Sequence, residues 1–170
     1  MQRYVVMGVS GCGKTSVGTG FARAIGAQFI DGDDLHPAEN VAKMSRGEPL
    51  DDGDRGPWLA AVAAALARAR GDVVIGCSAL RRRYRDLIRD GAGSDVVFLH
   101  LSGSRDLIAG RMGAREGHFM PLTLLDSQFA ALEPPGPDET CVTVDIDQTE
   151  EQVVRYLTGQ TQHLRAADLA

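Results

Sequence analysis

The chain has 170 residues, of which 44% are hydrophobic and 24% charged, and its formal net charge is -5. That length supports one core without disulfides, so a single domain over residues 1–170 is expected. The acidic balance argues against nucleic acid as the main partner, and no apolar run approaches the roughly 20 residues of a membrane span.

The N-terminus enters a strand pattern at once, which predicts no signal peptide. Cys12, Cys77 and Cys141 are scattered without a CxxC pair. They read as reduced thiols, so a cytoplasmic location is expected.

In chain order, Tyr4-Val5-Val6-Met7 is a short apolar run suited to a strand buried on both faces. A Gly-rich turn and an amphipathic helix from Lys14 to Ile25 follow. Gln28-Phe29-Ile30 reads as the second strand. Pro37 to Arg46 reads as a helix, with Pro37 in its first position. Leu50 to Pro57 is acidic and turn-rich and is expected to be irregular. The Ala-rich stretch from Pro57 to Arg70 is strongly helical. Val73-Val74-Ile75 is the third strand, followed by a helix from Ala79 to Arg89 with Ser78 as its N-cap. Val96 to Leu99 is the fourth strand, and Ser104 to Met112 a helix. Met112 to Pro137 is rich in Gly, Pro and charge and reads as a lid. Cys141 to Val144 is the last strand and Thr149 to Leu157 the last helix, with a frayed tail from Gly159. Such alternation predicts an α/β fold: a parallel sheet with helices on both faces.

The turn after the first strand is Gly8-Val9-Ser10-Gly11-Cys12-Gly13-Lys14-Thr15, which fits G-x-x-x-x-G-K-[ST] in the strand–turn–helix context that gives the motif its meaning. Glycines let the backbone wrap phosphates with N–H groups pointing inward, and the helix N-terminus adds partial positive charge. Gly8, Ser10, Gly11, Cys12, Gly13, Lys14, Thr15 and Ser16 are therefore the expected ATP-binding residues. Lys14 would reach the β/γ oxygens, and the Thr15 hydroxyl would ligate Mg²⁺. Cys12, inside this loop, is either a reactive thiol or an inert filler.

The motif is shared by kinases and by GTPase-type switches. A guanine-reading Asn-Lys-x-Asp is missing: Asn40 is the chain's one asparagine and lacks that sequel. That favours a small-molecule kinase. A nucleoside monophosphate or shikimate-type kinase shares the same architecture.

The second strand ends in Asp31-Gly32-Asp33-Asp34, where a parallel sheet binds its ligands. A kinase acting on a hydroxyl needs a carboxylate to orient or deprotonate it, and others to hold the metal. The third strand ends in Ile75-Gly76-Cys77-Ser78 without a Walker-B aspartate, so Asp31 is expected in the metal role. Arg81, Arg82, Arg83 and Arg85 crowd the start of the next helix, against its dipole. An anionic ligand would relieve that conflict, and Arg81 and Arg85 share a face. Arg111 and Arg115 lie four apart at the entry to the lid. His118 is either a lid ligand or a surface histidine.

Together these segments resemble gluconokinases, in the shikimate/gluconate kinase branch of P-loop kinases. The match runs from about residue 3 to residue 158. It rests on the phosphate loop, Asp31-Gly-Asp-Asp-Leu-His-Pro37, Asn40 to Leu50, Asp52-Gly-Asp-Arg-Gly-Pro-Trp-Leu59, Cys77 to Leu87, Gly117-His-Phe-Met120, Ser127-Gln128 and Asp138-Glu139. The aspartate- and tryptophan-containing segments are far more specific than the loop.

The resemblance implies transfer of the γ-phosphate of ATP to D-gluconate with Mg²⁺, on a five-stranded parallel sheet of order 2-3-1-4-5. It implies Asp33 as base, Asp31 and Thr15 at the metal, and Arg115 with Lys14 at the phosphates. Arg111 would lie by the adenine, and His36, Arg55, Ser78, Arg81, Arg85 and His118 would face the substrate. It leaves the assembly open, a homodimer included.

Overall fold

The computed structural model describes residues 1–114 and 122–167. Strands β1 (Arg3–Met7), β2 (Gln28–Asp31), β3 (Val73–Gly76), β4 (Val97–Ser102) and β5 (Cys141–Asp145) form one sheet. It is parallel throughout, with order β2-β3-β1-β4-β5. Between the strands lie helices α1 (Lys14–Ile25), α2 (Ala38–Ser45), α3 (Asp52–Arg68), α4 (Arg82–Ala92), α5 (Arg105–Gly113) and α6 (Leu122–Ala131), and α7 (Glu150–Ala167) follows β5. A short 3-10 turn, Gly32–Leu35, separates β2 from α2.

The period-2 alternation of β1 splits the core into two layers. Val5 and Met7 join Val73, Ile75 and Phe98 on one face, beneath Trp58, Leu59, Val62 and Leu66 of α3 and Tyr84 and Ile88 of α4. Tyr4 and Val6 join Val74, Leu99 and Leu101 on the other, beneath α1, α5, α6 and α7. With both faces covered, the strands at the sheet's centre are apolar along most of their length, with His100 of β4 a buried polar exception. All five strands end on the same side, and the turn after β1 emerges between β3 and β4.

Five expectations from sequence need correction. The stretch from Leu50 to Pro57 is not irregular throughout, because α3 already begins at Asp52. Asp51 accepts from the Asp54 N–H at 2.8 Å, and the Asp54 carboxylate accepts from the Asp51 N–H at 2.9 Å, a reciprocal cap built from two aspartates. Pro57 sits inside that helix and forfeits one backbone bond. Pro37 stands one place before its expected position, as N-cap of α2.

The helix expected from Ala79 begins only at Arg82, so Ser78 is not its cap; Arg81 is, without a side-chain capping bond. Residues 78–80 are held out of the helix by longer-range bonds. The Gly8 N–H donates to the Ser78 carbonyl at 3.2 Å, and the Glu133 N–H to that of Leu80 at 2.8 Å. Ala79 is left-handed, with φ 44°, a conformation costly outside glycine and persisting only where its surroundings impose it. Finally, the Met112–Pro137 stretch contains α6, and the tail from Gly159 continues α7 to Ala167 with Thr161 buried in it.

Candidate active site

The phosphate loop spans the end of β1 and the start of α1. Gly8 has φ 146°, and a Cβ there would stand 2.7 Å from Cys12 Sγ and 2.9 Å from the Leu101 carbonyl oxygen. Only glycine fits, and the loop closes tightly over Cys12 because of it. The Lys14 ammonium arches back across the loop, donating to the Gly8 and Val9 carbonyls at 3.0 Å each. Thr15 Oγ1 donates to Asp31 Oδ2 at 3.0 Å, which brings a hydroxyl and a carboxylate oxygen together at the mouth of the loop. Beside it, Gly11, Gly13, Ser16, Arg111 and Gln148 help line a cleft of about 220 Å³. Arg111 is pinned at its edge by the carbonyls of Ile146 and Gln148, at 2.5 and 3.4 Å.

On the opposite side of Lys14 lies the end of β2. Gly32 is as constrained as Gly8, since a Cβ would meet the Gly76 carbonyl oxygen at 2.1 Å. The close approach of β2 and β3 turns the chain outward, and the Asp33 N–H donates to Asp31 Oδ1 at 3.0 Å. Asp33 itself is exposed, with its carboxylate open to a ligand. Behind it, the His36 ring stacks on Trp58, with centroids 4.2 Å apart and planes 16° apart. Trp58 donates from Nε1 to the Gly32 carbonyl at 2.7 Å, so it packs the loop. Burial lowers the His36 pKa; Asp33 opposes that and Arg55 adds to it. Arg55 lies over the Tyr84 ring at 5.7 Å, and the Tyr84 hydroxyl donates to Asp52 at 2.5 Å.

The arginines around α4 sort cleanly. Arg82 pairs with Asp86 and Asp138, and Arg83 with Asp52. Arg85 is fully buried and bidentate to Glu139 at 2.7 and 2.9 Å. Its third branch donates to the carbonyls of Ala79 and Leu80. Among the described residues, only Arg55 and Arg81 of the predicted substrate-facing arginines have no carboxylate partner at salt-bridge distance.

The AAA domain family model matches residues 4–135. The thermoresistant gluconokinase of Escherichia coli (strain K12) is 49% identical over 155 residues, covering 89% of this chain and 88% of that one. The crystal structure of a gluconokinase from Sinorhizobium meliloti 1021 superposes with a TM-score of 0.89 at 48% identity, covering 96% of this chain and 93% of that one. The chain belongs to the gluconokinase family. Shikimate kinase from Bacteroides thetaiotaomicron, at 19% identity and a TM-score of 0.67 over 95% of this chain and 98% of that one, shares the fold.

As a gluconokinase family member, the chain brings Lys14, Thr15, Asp31, Asp33, His36, Arg55, Ser78 and Arg81 to one side of the sheet, at the carboxyl ends of β1, β2 and β3. It does not bring Arg85 there. That side chain turns into the core to Glu139, because burying a guanidinium requires a carboxylate in fork geometry. The dipole conflict read from the arginine run is largely met internally, since the Glu133 carboxylate accepts from the Arg82 N–H at 2.6 Å at the start of α4. Arg115 and His118 lie outside the described residues.

Gln128 lies in one of the segments that carry the resemblance but is not among the predicted site residues. It accepts from the Ser10 N–H at 2.6 Å through Oε1 and donates to Ser10 Oγ at 3.1 Å through Nε2. The resemblance gave it no role, and its partner is 118 residues away.

Proposed function

We propose that this chain transfers the γ-phosphate of ATP to the primary hydroxyl of D-gluconate, giving ADP and 6-phospho-D-gluconate. The observation that carries this reading is near-half identity to gluconokinases across about nine tenths of the chain, on a site with the parts such a transfer needs. The phosphate loop and Lys14 bind the triphosphate, with the adenine in the cleft edged by Arg111. Asp33 orients the acceptor hydroxyl and takes its proton as the oxygen–phosphorus bond forms in line with departure of the β-phosphate oxygen. Lys14 and an arginine of the lid, Arg115, stabilise the charge spread over the phosphoryl oxygens. Arg55 and Arg81, unpaired within the described chain, suit the gluconate carboxylate, and His36 and Ser78 suit its hydroxyls.

A divalent cation fits the donor set. The Thr15 hydroxyl and Asp31 carboxylate are hard oxygen ligands 3.0 Å apart, and Mg²⁺ typically takes one or two protein oxygens and completes its shell with phosphates and water. When bound it would neutralise phosphate charge. The segment 112–137 acts as a lid that excludes water during transfer. The expected setting is the cytoplasm, where the thiols of three cysteines without disulfides stay reduced.

The test is a coupled ADP-release assay across gluconate, other sugar acids, glucose, shikimate and nucleoside monophosphates. Turnover with gluconate well above all others is expected. Preference for shikimate or a nucleoside monophosphate would overturn the assignment.

A further inference from the structure

The chain's one asparagine, Asn40 of α2, is 4% exposed and lies directly behind the acceptor side of the site. Its amide nitrogen donates to the Asp54 carbonyl at 2.8 Å and lies 3.3 Å from His36 Nδ1. An amide NH₂ can only donate. His36 Nδ1 must therefore accept, and the neutral ring carries its proton on Nε2. Turning the amide over would set Oδ1 against the Asp54 carbonyl, two acceptors facing each other, so the Asp54 bond holds the amide the right way round. The ring plane is held independently by the Trp58 stack, and Trp58 by Gly32. Asn40 disfavours the imidazolium too, because a proton on Nδ1 would oppose its N–H. The charged groups that act on the ring are Asp33 and Arg55, and burial keeps the neutral form favoured.

We propose that Asn40 is a positioning residue that holds His36 as the Nε2–H tautomer, so that the ring presents a hydrogen-bond donor to a hydroxyl oxygen of the polyol acceptor beside Asp33. This rests on the reading of the acceptor as gluconate. Among the described residues His36 Nε2–H has no hydrogen-bond partner. The complement is chemical: a hydroxyl that donates to the Asp33 carboxylate has lone pairs left for a donor. The other tautomer would offer a second acceptor beside a carboxylate, with no donor for the substrate oxygen.

The test has two arms on the full chain. In the first, ¹⁵N-labelled protein is observed by long-range imidazole spectra near pH 7.5, with His36 assigned by comparison with His36→Gln. The Nε2–H pattern is expected in the parent protein, and Asn40→Asp, which offers Nδ1 an acceptor instead, should move the proton to Nδ1 and raise the titration midpoint of the ring. An Nδ1–H ring in the parent protein would overturn the proposal.

In the second arm, Asn40→Ala and Asn40→Ser are assayed in the parent and in His36→Ala backgrounds, with thermal unfolding followed alongside. Each is expected to raise the gluconate KM about three- to tenfold, leave the ATP KM unchanged, and add nothing once His36 is gone. Equal losses in both backgrounds would mean that Asn40 merely supports the fold, and would overturn the positioning role. Failure of the parent enzyme to use gluconate would sink the proposed function, while the spectra would still decide the tautomer.

Discussion

Asp33 and Lys14 stand on opposite sides of the expected reaction path and are accessible enough to be replaced without touching the core. Among the described residues the partners of Lys14 are carbonyls, at 3.0 Å, which phosphate oxygens would displace on electrostatic grounds. Lys14→Ala and Asp33→Asn are therefore expected to lower kcat by about 10²- to 10⁴-fold, with unchanged thermal unfolding. If Asp33→Asn kept within about tenfold of the parent rate, a loss of about 1.4 kcal/mol, the base assignment would fall.

Cys12 illustrates the opposite case. The sequence leaves it as either a reactive thiol near a helix N-terminus or a filler. The structure buries it at 1% exposure within the hydrophobic layer of α1 and β4, which favours the filler. Cys77 is equally buried, and burial pushes its thiol up to about 12. Maleimide labelling of the native protein should be slow at both, and MgATP should make no difference at Cys12. Fast, ATP-sensitive labelling of Cys12 would reverse that reading.

At the scale of elements, the entry to α4 is a joint between the site and the core. Arg85 ties the carbonyls of Ala79 and Leu80 to Glu139, just before β5. Burial alone would raise the Glu139 pKa, but bonds from Arg85, the Gly136 N–H and Arg89 outweigh it and hold the carboxyl at about 2, against its ordinary 4.5. The native state thus binds fewer protons than the unfolded chain between those values. The stabilisation is complete above pH 4.5 and is lost as pH falls through about 2. Urea unfolding across that range should show the decline, and Glu139→Gln should flatten it. Arg85→Ala removes the bidentate partner of Glu139 and leaves it to Arg89 and the Gly136 N–H, which should cost about 1.5–3 kcal/mol.

The same element carries Arg81 at its cap. Because Arg81 and Arg55 have no carboxylate partner among the described residues, Arg81→Ala should raise the gluconate KM while unfolding normally. Gluconate should also exceed neutral glucose in kcat/KM by at least tenfold; comparable values would refute carboxylate recognition.

Across the whole molecule, α6 links the two halves of the site. Gln128 grips Ser10 of the phosphate loop, and Glu133, just beyond the helix, bonds to Leu80 and Arg82 at the start of α4. A ligand on either side must act on the same element. Hydrogen exchange with a non-hydrolysable ATP analogue plus gluconate should therefore show added protection across 112–137, more than with either alone. Unchanged exchange there would count against a lid.

What the sequence determined by itself was the part written in short-range pattern. Apolar runs alternating with helical periods specified a parallel α/β sheet, and Gly8 to Thr15 specified a phosphate loop, because both depend on neighbours in the chain. The Asp31–Pro37 and Asp52–Leu59 segments carried the family resemblance for the same reason. Only the tertiary structure decided which arginine of the 81–85 run is available, since the answer turns on Glu139 and Asp138, more than 50 positions away. It likewise decided that Ser78 caps nothing and that Gln128 reaches Ser10. Each of these is a polar group satisfied by a distant partner, and buried polar groups take whatever partner the packing supplies, which local pattern does not record.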